Sequence, residues 1–102
     1  ILNDATMIDA EEVNLLDYAD EVIDTGAPAI GVNLERNSKE FLDIFHSAEL
    51  IVAKGMGNFE SLTEFEPESP TVHIMRTKCI PVAKHVGVQK NKNIVLIRYP
   101  PK

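Results

Sequence analysis

A chain of 102 residues is long enough for one domain and too short for two, and its 44% hydrophobic and 25% charged residues are typical of a globular protein. The formal net charge of -6 argues against nonspecific binding to nucleic acid or to an anionic membrane, both of which need a basic face. The single cysteine, Cys79, cannot form an intrachain disulfide, no apolar run approaches the ~20 residues of a bilayer span and no signal peptide is visible, so a reducing, cytoplasmic setting is expected.

In chain order, Ile1-Leu2 reads as the end of a strand already under way. The chain is therefore expected to be a piece of a longer protein, with part of its sheet outside these residues. Ile8, Val13, Leu16 and Ala19 keep helical spacing over residues 7–19, and Thr6-Met7-Ile8-Asp9 fits a capping box that starts the helix. Residues 21–24 read as a short strand ended by Thr25-Gly26. Pro28, Gly31 and two Asn make 27–37 a loop. Asn37 with Glu40 opens a second helix, with Phe41, Leu42, Ile44, Phe45 and Ala48 on its apolar face. Residues 49–53 form a buried strand, Lys54–Asn58 a turn, 59–65 a short helix and 66–70 a loop. A strand at 71–76, a helix at 80–86 and a last strand at 93–98 follow, and Pro100-Pro101 stops further pairing. This alternation predicts an α/β fold, a Rossmann-like three-layer α/β/α arrangement with a mostly parallel sheet, present here as an incomplete portion.

In a parallel sheet every strand's carboxyl end lies on one edge, where open α/β sheets bind ligands. That edge would gather Asn3-Asp4, Asp24-Thr25-Gly26, Lys54-Gly55 and Arg76-Thr77-Lys78. Asp4 is a suitable ligand for a hard cation such as Mg²⁺ or Mn²⁺; Asn3-Asp4 also reads as a plain turn with Thr6 only a cap. In Lys54-Gly55-Met56-Gly57-Asn58 the glycines allow close approach of an anion. Asn58 can cap the following helix, and Lys54 adds a positive charge at the end of an apolar strand. A Lys in a buried position would need an anionic partner. The same segment also reads as a Gly-rich strand–helix turn with a snorkelling Lys. It is neither a P-loop nor a dinucleotide fingerprint. Lys78 reads as a second anion-contacting cation or as a solvated strand-end residue. Cys79 reads as a buried small hydrophobe rather than a nucleophile. His46, His73 and His85 lack metal-ligand spacing and read as surface or core residues. Glu64, Glu66 and Glu68 read as a solvated loop.

Asn-Asp-Ala-Thr-x-x-Asp-Ala at 3–10, Val-Ile-Asp-Thr-Gly at 22–26, Ala-Lys-Gly-x-Gly-Asn-Phe-Glu at 53–60 and Thr-Lys-Cys at 77–79 resemble the metal-dependent damage-control phosphatases, long catalogued as a domain of unknown function. The order fits the C-terminal half of that family, and Thr-Lys-Cys resembles its prokaryotic branch. The resemblance implies a cytoplasmic hydrolase of small phosphomonoesters, such as sugar phosphates or damaged phosphometabolites. It implies a divalent metal cofactor, Mn²⁺, Co²⁺, Ni²⁺ or Mg²⁺, held by an upstream Asp-Asn pair and by a third Asp. Asp4 matches the third Asp; the upstream pair has no match in this sequence. Asp4 and Lys54 would be catalytic, while Asn3, Gly55, Gly57, Asn58 and Lys78 would line the substrate pocket. A phosphate- or nucleotide-binding module without chemistry, or a fragment without activity of its own, is the rival expectation.

Overall fold

In the computed structural model the described residues are 4–76 and 92–102. The strand end expected at 1–3 and the helix expected at 80–86 lie outside them, as do Asn3, Lys78, Cys79 and His85. None of the helices among the described residues is long and apolar enough to cross a membrane.

The first helix, α1, is Met7–Glu12, and it begins with the expected capping box. The Thr6 N–H donates to Asp9 Oδ2 at 2.8 Å, and the Asp9 N–H donates to Thr6 Oγ1 at 3.4 Å. It stops well short of residue 19. Asn14 takes a left-handed conformation at φ 54°, which Asn tolerates better than most residues, and a 3₁₀ turn at Leu15–Asp17 follows. The apolar spacing thus continues past a backbone break, and the expected core stripe of Ile8, Val13 and Leu16 is exposed.

No strand forms at 21–24 among the described residues. Asp24 Oδ1 instead accepts from the Gly26 N–H at 2.9 Å in an Asx turn, with Gly26 at φ 77°. Residues 27–37 are the expected loop. Asn37 is buried within it, where its Oδ1 accepts from the Asn33 N–H at 2.7 Å. The cap of helix α2 (Lys39–Ser47) is therefore Ser38, whose Oγ accepts from the Phe41 N–H at 3.1 Å.

Strand β1 (Ile51–Lys54), helix α3 (Met56–Leu62), strand β2 (Thr71–Arg76) and strand β3 (Asn93–Arg98) complete the described elements. The sheet has order β1-β2-β3. The β1–β2 pair is parallel, with Lys54 opposite Ile74, and α3 makes the crossover between them. The β2–β3 pair is antiparallel, with Thr71 opposite Arg98. The sheet is thus mixed: alternation of elements does not by itself set the direction of the last strand.

Period-two alternation sends Thr71, His73 and Met75 of β2 to one face, with Ile94, Leu96 and Arg98 of β3. Phe59 and Leu62 of α3 are buried with Ala53 and Met75 to make the core. The Arg98 guanidinium donates to the Leu62 carbonyl at 3.0 Å and to the Phe65 carbonyl at 3.2 Å, satisfying acceptors near the carboxyl end of α3. The opposite face carries Val52, Ile74, Val95 and Ile97, which are 61%, 44%, 66% and 48% exposed, so β1 is not the buried strand that its composition suggests.

His73 is 0% exposed and stands edge-on to Phe59 at 5.1 Å between ring centroids. Neither ring nitrogen hydrogen-bonds to a described residue. Burial, and then the positive charge of Arg98, push its pKa below the ordinary 6.5. The unfolded chain therefore binds a proton that the folded chain resists, and folding stability falls as pH drops below about 6.5. Replacing His73 with Leu removes the buried nitrogens at similar volume. We expect the variant to match or exceed the wild type in urea denaturation at pH 7, and to show a flatter loss of stability between about pH 6.5 and 5. An unchanged pH dependence would assign the acid sensitivity to other groups.

Candidate functional site

Because β1 and β2 are parallel, Lys54 and Arg76 end them on the same sheet edge. The chain leaves β1 through Gly55 at φ 97° and ψ 161°, a region that disfavours any side chain. The Gly55 N–H is committed to the Ile74 carbonyl at 2.8 Å, and a Cβ on Gly55 would meet nothing within 4 Å among the described residues. Glycine is required here by the backbone, and no described residue fills the space beside it.

Helix α3 starts at Met56, three residues earlier than the expected 59, because Gly55 caps it. Asn58 is therefore not the cap. It sits inside the first turn, where its Nδ2 donates to the Lys54 carbonyl at 2.8 Å and ties strand end to helix start. Gly57 lies in α3, where a Cβ would stand 2.9 Å from Ile30 Cγ2. Its small size serves the seating of the 27–32 loop on the helix. Lys54 is exposed and makes no ion pair with a described residue, so it bears no burial cost that an anion must offset.

The loop is fixed to α3 by more than Gly57. The Val32 N–H donates to Ser61 Oγ at 3.0 Å, and Ser61 Oγ donates to the Asn58 carbonyl at 3.2 Å. Gly31 at φ 67° lies so close to α3 that a Cβ would come within 2.7 Å of the Gly57 carbonyl oxygen. Gly31→Ala should thus be destabilising on two counts, left-handed strain and backbone collision, by about 2–4 kcal/mol. Gly55→Ala meets only the strain. Urea denaturation of both variants should rank Gly31→Ala the worse; the reverse order would mean that the loop does not seat on α3.

This packing leaves a groove of about 1020 Å³. Asp4 and Thr6 line it from the start of α1, Asp24, Thr25, Gly26 and Gly31 from the loop, and Asn58 from α3. Ala5, Met7, Ile8, Leu15, Val22, Ile23 and Pro28 supply apolar wall. The structure thus brings Asp4 and Asn58 into one groove, with Gly55, Gly57 and Lys54 beside Asn58 along the β1–α3 turn. Asn3 and Lys78 lie outside the described residues. Asp24 enters the groove without having been singled out as a site residue, although the Asp24-Thr25-Gly26 segment was expected on this edge.

As donors toward a divalent cation, Asp4 and Asp24 have the right chemistry, hard carboxylate oxygen. They do not make a site by themselves: among the described residues no three His, Cys, Asp or Glu side chains converge to hold a metal ion. The two described histidines fall in their expected classes. His46 is exposed, its Nδ1 2.9 Å from Glu68 Oε2, and His73 belongs to the core.

A parallel β–α–β unit with a glycine turn at its carboxyl edge, extended by an antiparallel strand, makes this a mixed α/β fold. Residues 1–94 match the damage-control phosphatase ARMT1-like domain, and the chain belongs to that family. It is 50% identical over 100 residues to an uncharacterized protein of Methanocaldococcus jannaschii, a match that covers 96% of this chain and 33% of the relative. It is 40% identical over 90 residues to a damage-control phosphatase of Pyrococcus horikoshii, covering 88% of this chain and 31% of the relative. A damage-control phosphatase of Archaeoglobus fulgidus is 38% identical over 88 residues, covering 86% of this chain and 30% of the relative. The crystal structure of a DUF89 family protein from Pyrococcus horikoshii superimposes with a TM-score of 0.83 at 35% identity, covering 100% of this chain and 34% of that one. The chain thus spans about a third of the length of the relatives it matches.

Proposed function

We propose that this chain is the C-terminal α/β part of a metal-dependent phosphatase that hydrolyses small phosphomonoesters, sugar phosphates or damaged phosphometabolites. The observation that carries the reading is the meeting of Asp4 and Asn58 in one groove beside the Lys54–Gly55 turn, in a chain of the damage-control phosphatase family. In this reading the complete domain is a three-layer α/β/α sandwich, and its remainder covers the apolar face of Val52, Ile74, Val95 and Ile97. Asp4 is one ligand of a divalent ion, Mn²⁺, Co²⁺, Ni²⁺ or Mg²⁺, whose other ligands come from the remainder of the domain.

Lys54 neutralises charge on the phosphoryl oxygens as it redistributes in transfer. The open side of Gly55 admits the phosphate close to the backbone. The N–H groups of Gly57 and Asn58 fall in the first turn of α3, where no acceptor exists within the helix. Asn58 Nδ2 holds Lys54 in place through one of its hydrogens and keeps the other for substrate. Asn3 and Lys78 complete the pocket lining.

The test is hydrolysis of 4-nitrophenyl phosphate by the intact protein, after chelation and then with each of the four ions added back. Turnover lost on chelation and restored by a divalent ion supports the reading. Phosphate binding that survives chelation, with no turnover under any ion, would replace it with a non-catalytic binding module.

A further inference from the structure

We propose that Asp24 is a specificity-determining residue that accepts a hydrogen bond from a hydroxyl group on the organic part of the substrate; this rests on the phosphomonoester reading above. Among the described residues the groove, of about 1020 Å³, is far larger than a phosphate group. Asn58 enters it from α3 and Asp24 from the loop between α1 and α2. No Lys or Arg is among the described residues that line it. An anionic oxygen placed against Asp24 would meet a like charge, whereas a hydroxyl would meet an acceptor. The phosphate therefore belongs at the Lys54 turn and the uncharged, hydroxylated portion belongs at Asp24.

The carboxylate is held ready for that role. Asp24 Oδ1 accepts from the Gly26 N–H at 2.9 Å, while Oδ2 hydrogen-bonds to no described residue. The next residue is pinned twice: its carbonyl accepts from the Ser38 N–H at 2.9 Å, and Thr25 Oγ1 donates to the Ala27 carbonyl at 3.2 Å. Asp24 is exposed, and a hydroxyl placed against it gains a hydrogen bond to a charged acceptor that a hydrocarbon or aryl group cannot make. The chemical class it selects is a phosphorylated polyol or sugar over a phosphate ester with a bare hydrocarbon or aryl group.

Asp24→Asn keeps an Oδ1 acceptor for Gly26 and removes the charge; Asp24→Ala removes both. In the intact protein, kcat/KM is measured for ribose 5-phosphate, a hexose 6-phosphate and 4-nitrophenyl phosphate, with thermal unfolding of each variant as the control for the turn. The ratio of sugar-phosphate to aryl-phosphate kcat/KM should fall by about 10–100-fold in both variants, through KM, as loss of a hydrogen bond to a charged acceptor implies. A ratio unchanged within about twofold, whether both activities fall together or neither falls, overturns the assignment and leaves the phosphatase reading standing. So does a wild-type protein that hydrolyses the aryl ester and not the sugar phosphates. A wild-type protein that hydrolyses none of them overturns both.

Discussion

Asp4→Ala in the intact protein is expected to lower divalent-ion-dependent phosphomonoester turnover by more than about a hundredfold. Removing a group that merely supports a metal ligand typically costs 10–100-fold in affinity or activity, and removing the ligand itself should exceed that. The fold should be indifferent to the change. Asp4 is exposed, hydrogen-bonds to no described residue, and precedes a helix whose cap is made by Thr6 and Asp9 without it. A second readout does not depend on chemistry. An ion that binds the folded protein at a hundred times its Kd stabilises it by about 2.7 kcal/mol. The rise in melting temperature on adding Mn²⁺ should therefore be present in the wild type and strongly reduced in Asp4→Ala. Wild-type turnover and an undiminished Mn²⁺ shift in the variant would remove Asp4 from the metal site.

The elements that the sequence made legible are those whose information is local. The Thr6–Asp9 capping box, the strands at 71–76 and 93–98 and the 27–37 loop stand where their residues place them, because caps, alternation and Gly/Pro punctuation act over a few residues. What was not legible is set by longer-range geometry or by a single backbone angle. Asn14 breaks the helix through a left-handed turn that apolar spacing cannot reveal. Gly55 caps α3 and so moves Asn58 from the cap to the first turn, where it binds the Lys54 carbonyl. The antiparallel direction of β3 and the exposure of Val52 depend on which neighbours the chain meets. In the groove, Asp4 and Asn58 were foreseeable from motifs, one just ahead of α1 and the other in the first turn of α3. Asp24 was expected on this edge at the end of a strand and was not singled out as a site residue; that strand does not form, and a loop seated by Gly31 and Gly57 brings it to the groove instead.

Lys54→Ala isolates the other half of the site. Loss of one donor that stabilises charge developing in a transition state typically costs about 10²–10³ in kcat, or about 2.7–4 kcal/mol. Lys54 should fall in that range, with kcat and kcat/KM reduced together, because its charge matters most when the phosphoryl oxygens redistribute theirs. Lys54→Arg keeps the charge with a broader, planar head and should recover part of the loss. The side chain is exposed and unpaired among the described residues, so neither substitution should change the unfolding midpoint appreciably. Asn58→Ala supplies the contrast. It deletes the 2.8 Å bond to the Lys54 carbonyl, which should cost about 1 kcal/mol of stability and displace Lys54 as well. Activity should therefore fall with little loss of stability in Lys54→Ala, and with a measurable loss in Asn58→Ala. If Lys54→Ala raised KM alone, Lys54 would hold the substrate equally in ground and transition state. If stability fell while the folded fraction kept full activity, Lys54 would be a structural residue of the strand end and the phosphate would have to be met by another cation.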